Sequence, residues 1–250
     1  MRYLRCTAFL AFLWAPVAQA SELKVYCPAL VNEAMREFAQ DFAKETGIAV
    51  SISTGPMGKL VETIQAASPD VVILPPDLMD SLDRQGGVQA GTRTPLVRVE
   101  IGLAVRAGAE IPDISTDERL HAALLKAGAL TYTKPGPPRF SREADIIDAL
   151  LKRLPGVHAM PALSGSGVAF LAAGNADMAM QVVPEILATK GLKLVGPLPP
   201  DLGAHIDVVA AVFARSGDAQ AAQAFIRYVS RPQSLETWKA QGIDQRFQSQ

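Results

Sequence analysis

Small, hydroxyl-bearing and cationic residues collect in four loops, each between a predicted strand and the helix that follows it. The loops cover residues 27–30, 54–58, 133–141 and 164–167. Unpaired N–H groups and the positive end of each following helix dipole would point into these loops. In an open α/β sheet, ligands bind beyond the carboxyl ends of the strands. The pattern therefore favours a small anion, although glycine and serine at such junctions also form ordinary turns and caps.

The third loop brings two cations to the predicted site. Residues 132–141 read YTKPGPPRFS and include Lys134 and Arg139. The planar fork of an arginine suits a carboxylate, whereas a lysine acts as a point charge. Either side chain could also be a solvated loop charge. If one of them points inward, an organic acid fits the site better than a tetrahedral metal oxyanion.

Candidate ligand-binding residues lie in the four loops and at the end of the predicted strand 178–181, where the amide of the last residue could donate to a ligand. They are Ala29, Leu30, Thr54, Gly55, Met57, Gly58, Thr133, Lys134, Arg139, Ser141, Ser164, Ser166 and Gln181.

Three further residues are catalytic candidates, but only for an enzyme version of this cleft. Cys27, before a helix, could be a low-pKa nucleophile or a small buried apolar residue. Asp77 and Glu185 begin helices just beyond strand ends. Each could pair with the helix dipole or act as an acid–base group.

The composition and the remaining motifs exclude several functions. The 250 residues are 49% hydrophobic and 20% charged with a net charge of -1, which argues against a disordered chain and against nucleic acid as a partner. His121, His158 and His205 show no metal-ligand spacing, and no nucleophile elbow or phosphate-binding loop is present. We expect neither a metal nor another cofactor.

The N-terminus has the pattern of a cleaved signal peptide over residues 1–20. Two early arginines precede an apolar stretch at 7–17, and Ala18-Gln19-Ala20 supplies the cleavage motif. The stretch of about 11 residues is too short for a bilayer, which needs roughly 20. Cleavage would remove Cys6 and leave Cys27 alone, so no internal disulfide can form. We expect a free periplasmic protein without membrane insertion.

The order of predicted elements indicates two α/β lobes. Strand–helix units alternate over residues 23–85 and again over 130–195, which predicts mostly parallel sheets with right-handed crossovers. Long strands at 97–105 and 206–213 bracket the second set and would cross between the lobes. The expected division is lobe 1 over 21–98 plus 206–250 and lobe 2 over 99–205.

Several stretches resemble one family in their order along the chain. They are LKVYCPALVNEAMREFAQDFAKETGIAV, a Gly/Ser/Thr loop with its helix, PDVVIL and GNADMAM. This order resembles the molybdate-binding branch of periplasmic solute-binding proteins and extends over residues 22–245. The resemblance implies the two-lobe type 2 periplasmic-binding fold with two crossing hinge strands, an ABC transporter as partner and a monomeric state.

The resemblance also implies a changed ligand pocket. The family's molybdate pocket uses hydroxyl groups and backbone N–H groups without a cation. A serine of the family after the first strand is replaced within Cys27-Pro28-Ala29-Leu30, a serine-rich loop by residues 54–58, and a frequent tyrosine by Gln181 or Val182. These changes, with the two cations of the third loop, predict an organic carboxylate as ligand instead of molybdate.

Three functions remain open at this point. The first is a receptor that closes its lobes on a small anion and passes it to an ABC permease. The second is an exported isomerase, similar to aconitate isomerase, that acts on a small tricarboxylate through a positioned base. The third is a sensor module for a membrane partner. A carboxylate in the cleft without a cation partner would favour the enzyme, because a transport receptor gains nothing from such a group.

Overall fold

The structure is a computed structural model that describes residues 22–54, 60–136, 141–162 and 165–244. The expected signal peptide lies outside these residues. The strands are β1 (Leu23–Cys27), β2 (Val50–Thr54), β3 (Val71–Leu74), β4 (Thr94–Arg106), β5 (Leu130–Thr133), β6 (Ala159–Ala162), β7 (Met178–Val182), β8 (Leu192–Pro197) and β9 (His205–Val212).

The helices of the described ranges alternate with these strands in the first part of the chain. Two helices follow the last strand. They are α1 (Asn32–Thr46), α2 (Leu60–Ala67), α3 (Pro76–Arg84), α4 (Asp117–Lys126), α5 (Arg142–Leu151), α6 (Gly167–Ala172), α7 (Val183–Ala188), α8 (Ala219–Ser230) and α9 (Leu235–Ala240). Short 3₁₀ turns cover Ala29–Val31, Pro200–Leu202 and Pro232–Ser234. None of the described helices has the length and apolar character to span a membrane.

The strands form a sheet in the order β2-β1-β3-β9-β4-β7-β5-β6, and β8 pairs with β4. β1 is parallel to β2 and β3, and β5 is parallel to β6 and β7, as the alternation predicts. The long strand β4 pairs with β9 over its first part and with β7 and β8 over its second part. It therefore joins a first half of the sheet (β2, β1, β3 and β9) to a second half (β7, β5, β6 and β8).

The expected lobe boundary at residues 98 and 99 falls inside β4. The chain passes between the two halves along this strand and returns between β8 and β9. The division into residue ranges stays a prediction.

The first half is held by an aromatic core. Phe38 and Phe42 lie on the buried face of α1, where Phe38 packs on Trp238 of α9 with ring centroids 5.1 Å apart. Phe42 packs on Phe225 of α8 at 5.3 Å. The helix α1 ends at Gly47, whose φ of 76° suits a glycine and whose N–H donates to Ala43 O. This core holds β1 and its following turn in place at the edge of the sheet where the candidate loops lie.

The strand β6 was not among the sequence predictions. It is four residues long and contains Pro161, which has no backbone N–H to donate to a sheet. Such a proline is accommodated here because β6 is an edge strand, paired only with β5 within the described sheet.

Candidate functional site

The carboxyl ends of β5 and β7 hold a buried polar cluster built around Gln181. Its Nε2 donates to Thr133 Oγ1 over 3.1 Å and to Glu185 Oε2 over 2.8 Å. Its Oε1 accepts from Val182 N over 3.1 Å. Both amide hydrogens are therefore taken, and Gln181 positions the threonine and the glutamate in place of donating to a ligand itself.

Thr133 also receives a hydrogen bond from the start of α6. Gly167 N donates to Thr133 Oγ1 over 3.3 Å. This approach requires a glycine, because a Cβ at residue 167 would lie 2.5 Å from Tyr132 Cα and 2.7 Å from its carbonyl carbon. With two N–H groups donating to its oxygen, the Thr133 hydroxyl keeps its own hydrogen, for which the described residues offer no acceptor. That hydrogen is suited to an anion.

Glu185 is a half-buried carboxyl in the first turn of α7. Burial, with a smaller contribution from the like charge of Glu143 on α5, raises its pKa to about 7, against the lowering effect of the Gln181 hydrogen bond. No lysine or arginine in the described ranges forms a salt bridge with it. Glu185 is therefore a carboxyl that is largely protonated just below neutral pH.

The helix that carries Glu185 lies where the two halves of the sheet meet. α7 contacts the 3₁₀ turn Ala29–Val31, which directly follows β1. The turn after α9 also packs against it, since a Cβ at Gly242 would lie 2.5 Å from Leu187 Cδ1 and 2.9 Å from Val183 Cγ1. The helix α7 of the second half thus lies against the turn that follows the first strand.

A second contact between the halves is the ion pair of Asp77 with Arg142. Arg142 Nη2 lies 3.1 Å from Asp77 Oδ2, joining the start of α5 to the start of α3. The pair lines a cavity of about 440 Å³ whose walls also include Asp145, His205 and Asp207. Asp77 therefore has a cation partner, which Glu185 lacks in the described part of the chain.

Cys27 has the properties of a core residue. It is fully buried, and burial raises the pKa of its thiol to about 12. The thiol stays protonated at neutral pH, which argues against the nucleophile hypothesis and agrees with the apolar alternative. Next to it in the chain, Leu30 is buried and Ala29 is exposed, and neither offers a side-chain donor.

The two serines of the described loops act as helix caps. Ser141 Oγ accepts from Ala144 N over 3.2 Å, and Ser166 Oγ accepts from Ala169 N over 3.4 Å. These are ordinary helix N-caps, the alternative to ligand binding that the sequence left open for such serines. Each hydroxyl still has its hydrogen, so the ligand-binding role of both residues stays a prediction.

Thr54 ends β2 and Lys134 follows β5, and both are exposed. Their roles also stay predictions. Five other candidates lie outside the described residues: Gly55, Met57, Gly58, Arg139 and Ser164.

Sequence reasoning missed two features of the site. The close approach at Gly167 had a signal, since a glycine directly follows a cap serine after a predicted loop. The effect of Glu143 on Glu185 had none, because it depends on how α5 and α7 converge. Among the described residues, no three His, Cys, Asp or Glu side chains form a group that could hold a metal ion.

Comparison with known proteins identifies the family. Residues 23–244 match the family described as bacterial extracellular solute-binding protein. The chain belongs to this family. It is 30% identical over 244 residues to the molybdate-binding protein ModA of Azotobacter vinelandii, covering 93% of each chain. It is also 26% identical over 224 residues to an aconitate isomerase of a Pseudomonas species, covering 84% of this chain and 82% of that one.

Solved structures agree with this assignment. The Azotobacter vinelandii periplasmic molybdate-binding protein superposes with a TM-score of 0.69 at 21% identity, over 91% of this chain and 100% of the other. The sulfate-binding protein SubI of Mycobacterium tuberculosis gives 0.69 at 19% identity, over 90% and 87%. The resemblance to the molybdate-binding branch and the two-lobe α/β fold are confirmed.

Proposed function

We propose that this solute-binding protein captures a small anion where the two halves of its sheet meet and delivers it to an ABC transporter. The observation that carries the proposal is the Thr133 hydroxyl, held by Gln181 and Gly167 with its hydrogen left for a ligand. Relatives named as molybdate- and sulfate-binding proteins support an anion as the class of ligand. Export would precede binding, by removal of residues 1–20, and the mature protein would act as a monomer in the periplasm.

The ligand proposed within this class is an organic carboxylate. The turn after β1 presents Ala29 and Leu30, without the hydroxyl that the family's molybdate pocket has there. Lys134, exposed at the end of β5, supplies a charge that suits a carboxylate. Arg139, the second cation of the loop, is part of this proposal. The relative that is an aconitate isomerase supports carboxylates as ligands in this family.

Capture would proceed by closure of the two proposed lobes, 21–98 with 206–250 against 99–205. The ion pair of Asp77 with Arg142 would then bridge the lobes on one side of the ligand. The contact of α7 with the turn Ala29–Val31 would bridge them on the other. Thr133 would supply a donor between these two contacts, and Lys134 and Arg139 are the cations proposed to act on the ligand with it.

A thermal-shift panel on the mature protein from Ser21 tests the proposal. The panel contains molybdate, sulfate, citrate and both aconitate isomers. A ligand at 100 times its Kd adds about 2.7 kcal/mol, or about 5–10 °C for a chain of this size. We expect shifts with carboxylates. A shift with molybdate alone would contradict the carboxylate ligand, and no shift with any anion would contradict the function.

The role of Thr133 is tested by Thr133→Val, with Thr131→Val as the matched control. Both threonines lie buried on β5, but the Thr131 hydroxyl has no hydrogen-bond partner in the described structure. We expect Thr133→Val to weaken ligand binding about tenfold, in keeping with loss of a hydrogen bond to a charged group of about 1.5 kcal/mol. Thr131→Val should bind as the wild type does. Equal affinities in all three proteins would show that Thr133 does not contact the ligand.

An exported tricarboxylate isomerase is the second candidate, and Glu185 is the observation that favours it. A carboxyl with a pKa of about 7 and no cation partner among the described residues can accept and return a proton near neutral pH. The base would remove a proton from the methylene carbon of aconitate and return a proton to the vinylic CH carbon, while the double bond moves to the former methylene position. Proton NMR of cis-aconitate with the protein in D₂O would show the trans isomer and deuterium incorporation. A spectrum unchanged over a day would contradict the isomerase and leave the receptor as the proposed function.

A further inference from the structure

The two oxygens of Glu185 differ in their surroundings. Oε2 accepts from Gln181 Nε2 over 2.8 Å. Gln181 is in turn fixed by its bonds to Thr133 and Val182, so it cannot turn away. Oε1 has no hydrogen-bond partner in the described part of the chain. When the carboxyl is neutral, its one hydrogen therefore belongs on Oε1. The same Gln181 amide group donates to this carboxyl and to the Thr133 hydroxyl.

We propose that Glu185 holds this proton and donates it to the bound anion, so that binding of a fully ionised anion takes up about one proton at pH 8. The inference rests on the proposed function and deepens it, since it makes Glu185 a specificity-determining residue. An ionised carboxylate beside the ligand would repel it, whereas a carboxylic acid offers a donor.

The charges around α7 are consistent with a neutral Glu185. The elements packed against this helix are the turn Ala29–Val31, β4, β7 and β8. The turn and β7 carry no charged residue. The charged residues of the other elements and of the turn beyond α9 are Arg98, Glu100, Arg106, Lys193 and Asp244, and none of them forms a salt bridge with Glu185.

The charge that acts on the Glu185 carboxyl comes from α5, through Glu143. It has the same sign and, together with burial, places the pKa at about 7. An arriving anion adds another negative charge and raises the pKa further. Because the pKa of Glu185 is higher in the complex than in the free protein, binding takes up protons.

The size of the effect follows from the fraction of protein that is competent to bind. With a pKa of about 7, about nine-tenths of the free protein carries the proton at pH 6 and about one-tenth at pH 8. The apparent Kd varies inversely with this fraction. The affinity should therefore fall about tenfold between the two pH values.

Isothermal titration calorimetry with molybdate and trans-aconitate as probes tests the inference. Titrations at pH 6 and pH 8, each in two buffers of different ionisation enthalpy, give both the affinity and the number of protons taken up. We expect the tenfold loss of affinity and uptake of nearly one proton at pH 8. Equal affinities and no proton uptake would overturn the inference while leaving anion binding intact. No binding of either probe at either pH would overturn the proposed function and this inference with it.

Two variants separate the role of Glu185 from a general effect of pH. Glu185→Gln is always neutral and keeps an N–H donor, so its affinity should be the same at pH 6 and pH 8. Glu143→Gln removes only the neighbouring charge, so its affinity should still fall with pH, but from a lower midpoint. A wild-type pH profile in Glu185→Gln would overturn the inference.

Discussion

Replacing Gly167 with alanine tests how the start of α6 is held against β5. The added Cβ would lie 2.5, 2.7 and 3.0 Å from Tyr132 Cα, C and N, which are backbone atoms of a paired strand. Carbon atoms need about 3.5–4.0 Å, so α6 must move outward by about 1 Å. The hydrogen bond from Gly167 N to Thr133 Oγ1, already 3.3 Å long, would then be lost.

The expected cost combines three effects. Overpacking of this kind costs about 1–3 kcal/mol, and the lost hydrogen bond costs about 1 kcal/mol. The higher helix propensity of alanine returns up to about 1 kcal/mol. We therefore expect a net loss of about 1–3 kcal/mol in the free energy of unfolding. Ligand affinity should also fall, because the Thr133 oxygen loses one of its two donors.

Urea unfolding of the mature chain measures this loss, with Gly196→Ala as the matched control. A Cβ at Gly196, on β8, would meet only Ile114 Cδ1 at 3.8 Å, an ordinary contact. This control should be neutral or more stable by about 0.4–1 kcal/mol. If Gly167→Ala unfolds at the same urea concentration as the wild type, the steric reasoning about α6 is refuted.

Three further predictions concern stability and reactivity. Because the pKa of Glu185 is raised in the folded protein, its contribution to the free energy of unfolding is most favourable below pH 4.5, where the carboxyl is neutral. This contribution is lost as pH rises through about 7. Discounted for partial exposure, Glu185→Gln should therefore be about 2 kcal/mol more stable than the wild type at pH 8 and little changed at pH 4, by urea unfolding; no gain at pH 8 would contradict the raised pKa. Arg98 donates to both carboxylate oxygens of Asp207 over 2.7 and 3.0 Å, so Asp207→Asn should lower the free energy of unfolding by about 1 kcal/mol. Thermal unfolding should show a smaller loss of stability at about 1 M salt. A loss of stability independent of salt would argue against an ionic contribution. Buried Cys27 should react with a coloured thiol reagent only as the protein unfolds, and prompt reaction in the native state would show that the thiol is accessible.

Much of the fold was predictable from the sequence because it depends on local patterns. The strand Leu23–Cys27 is apolar except at Lys24, and the helical spacing of Phe38 and Phe42 defines the buried face of α1. Gly47 ends that helix for a local steric reason. Strand–helix alternation then implies parallel pairing, and it places Thr133 and Gln181 at strand ends on one edge of the sheet. The strand β6 escaped prediction because its pairing with β5 outweighs a local sequence that contains a proline.

The chemistry of the site was decided by tertiary structure. Thr133 accepts hydrogen bonds from residues 34 and 48 positions away along the chain, so no local pattern could show that Gln181 has no hydrogen left for a ligand. Asp77 and Glu185 look alike in the sequence, as acids at helix starts beyond strands. In the fold, Asp77 forms an ion pair with Arg142. Glu185 is instead partly buried and lies in the field of the like charge of Glu143, so its pKa is raised and it keeps a proton near neutral pH. Whether an acid is paired or protonated depends on the charges and the solvent around it, and folding brings these together from distant parts of the chain.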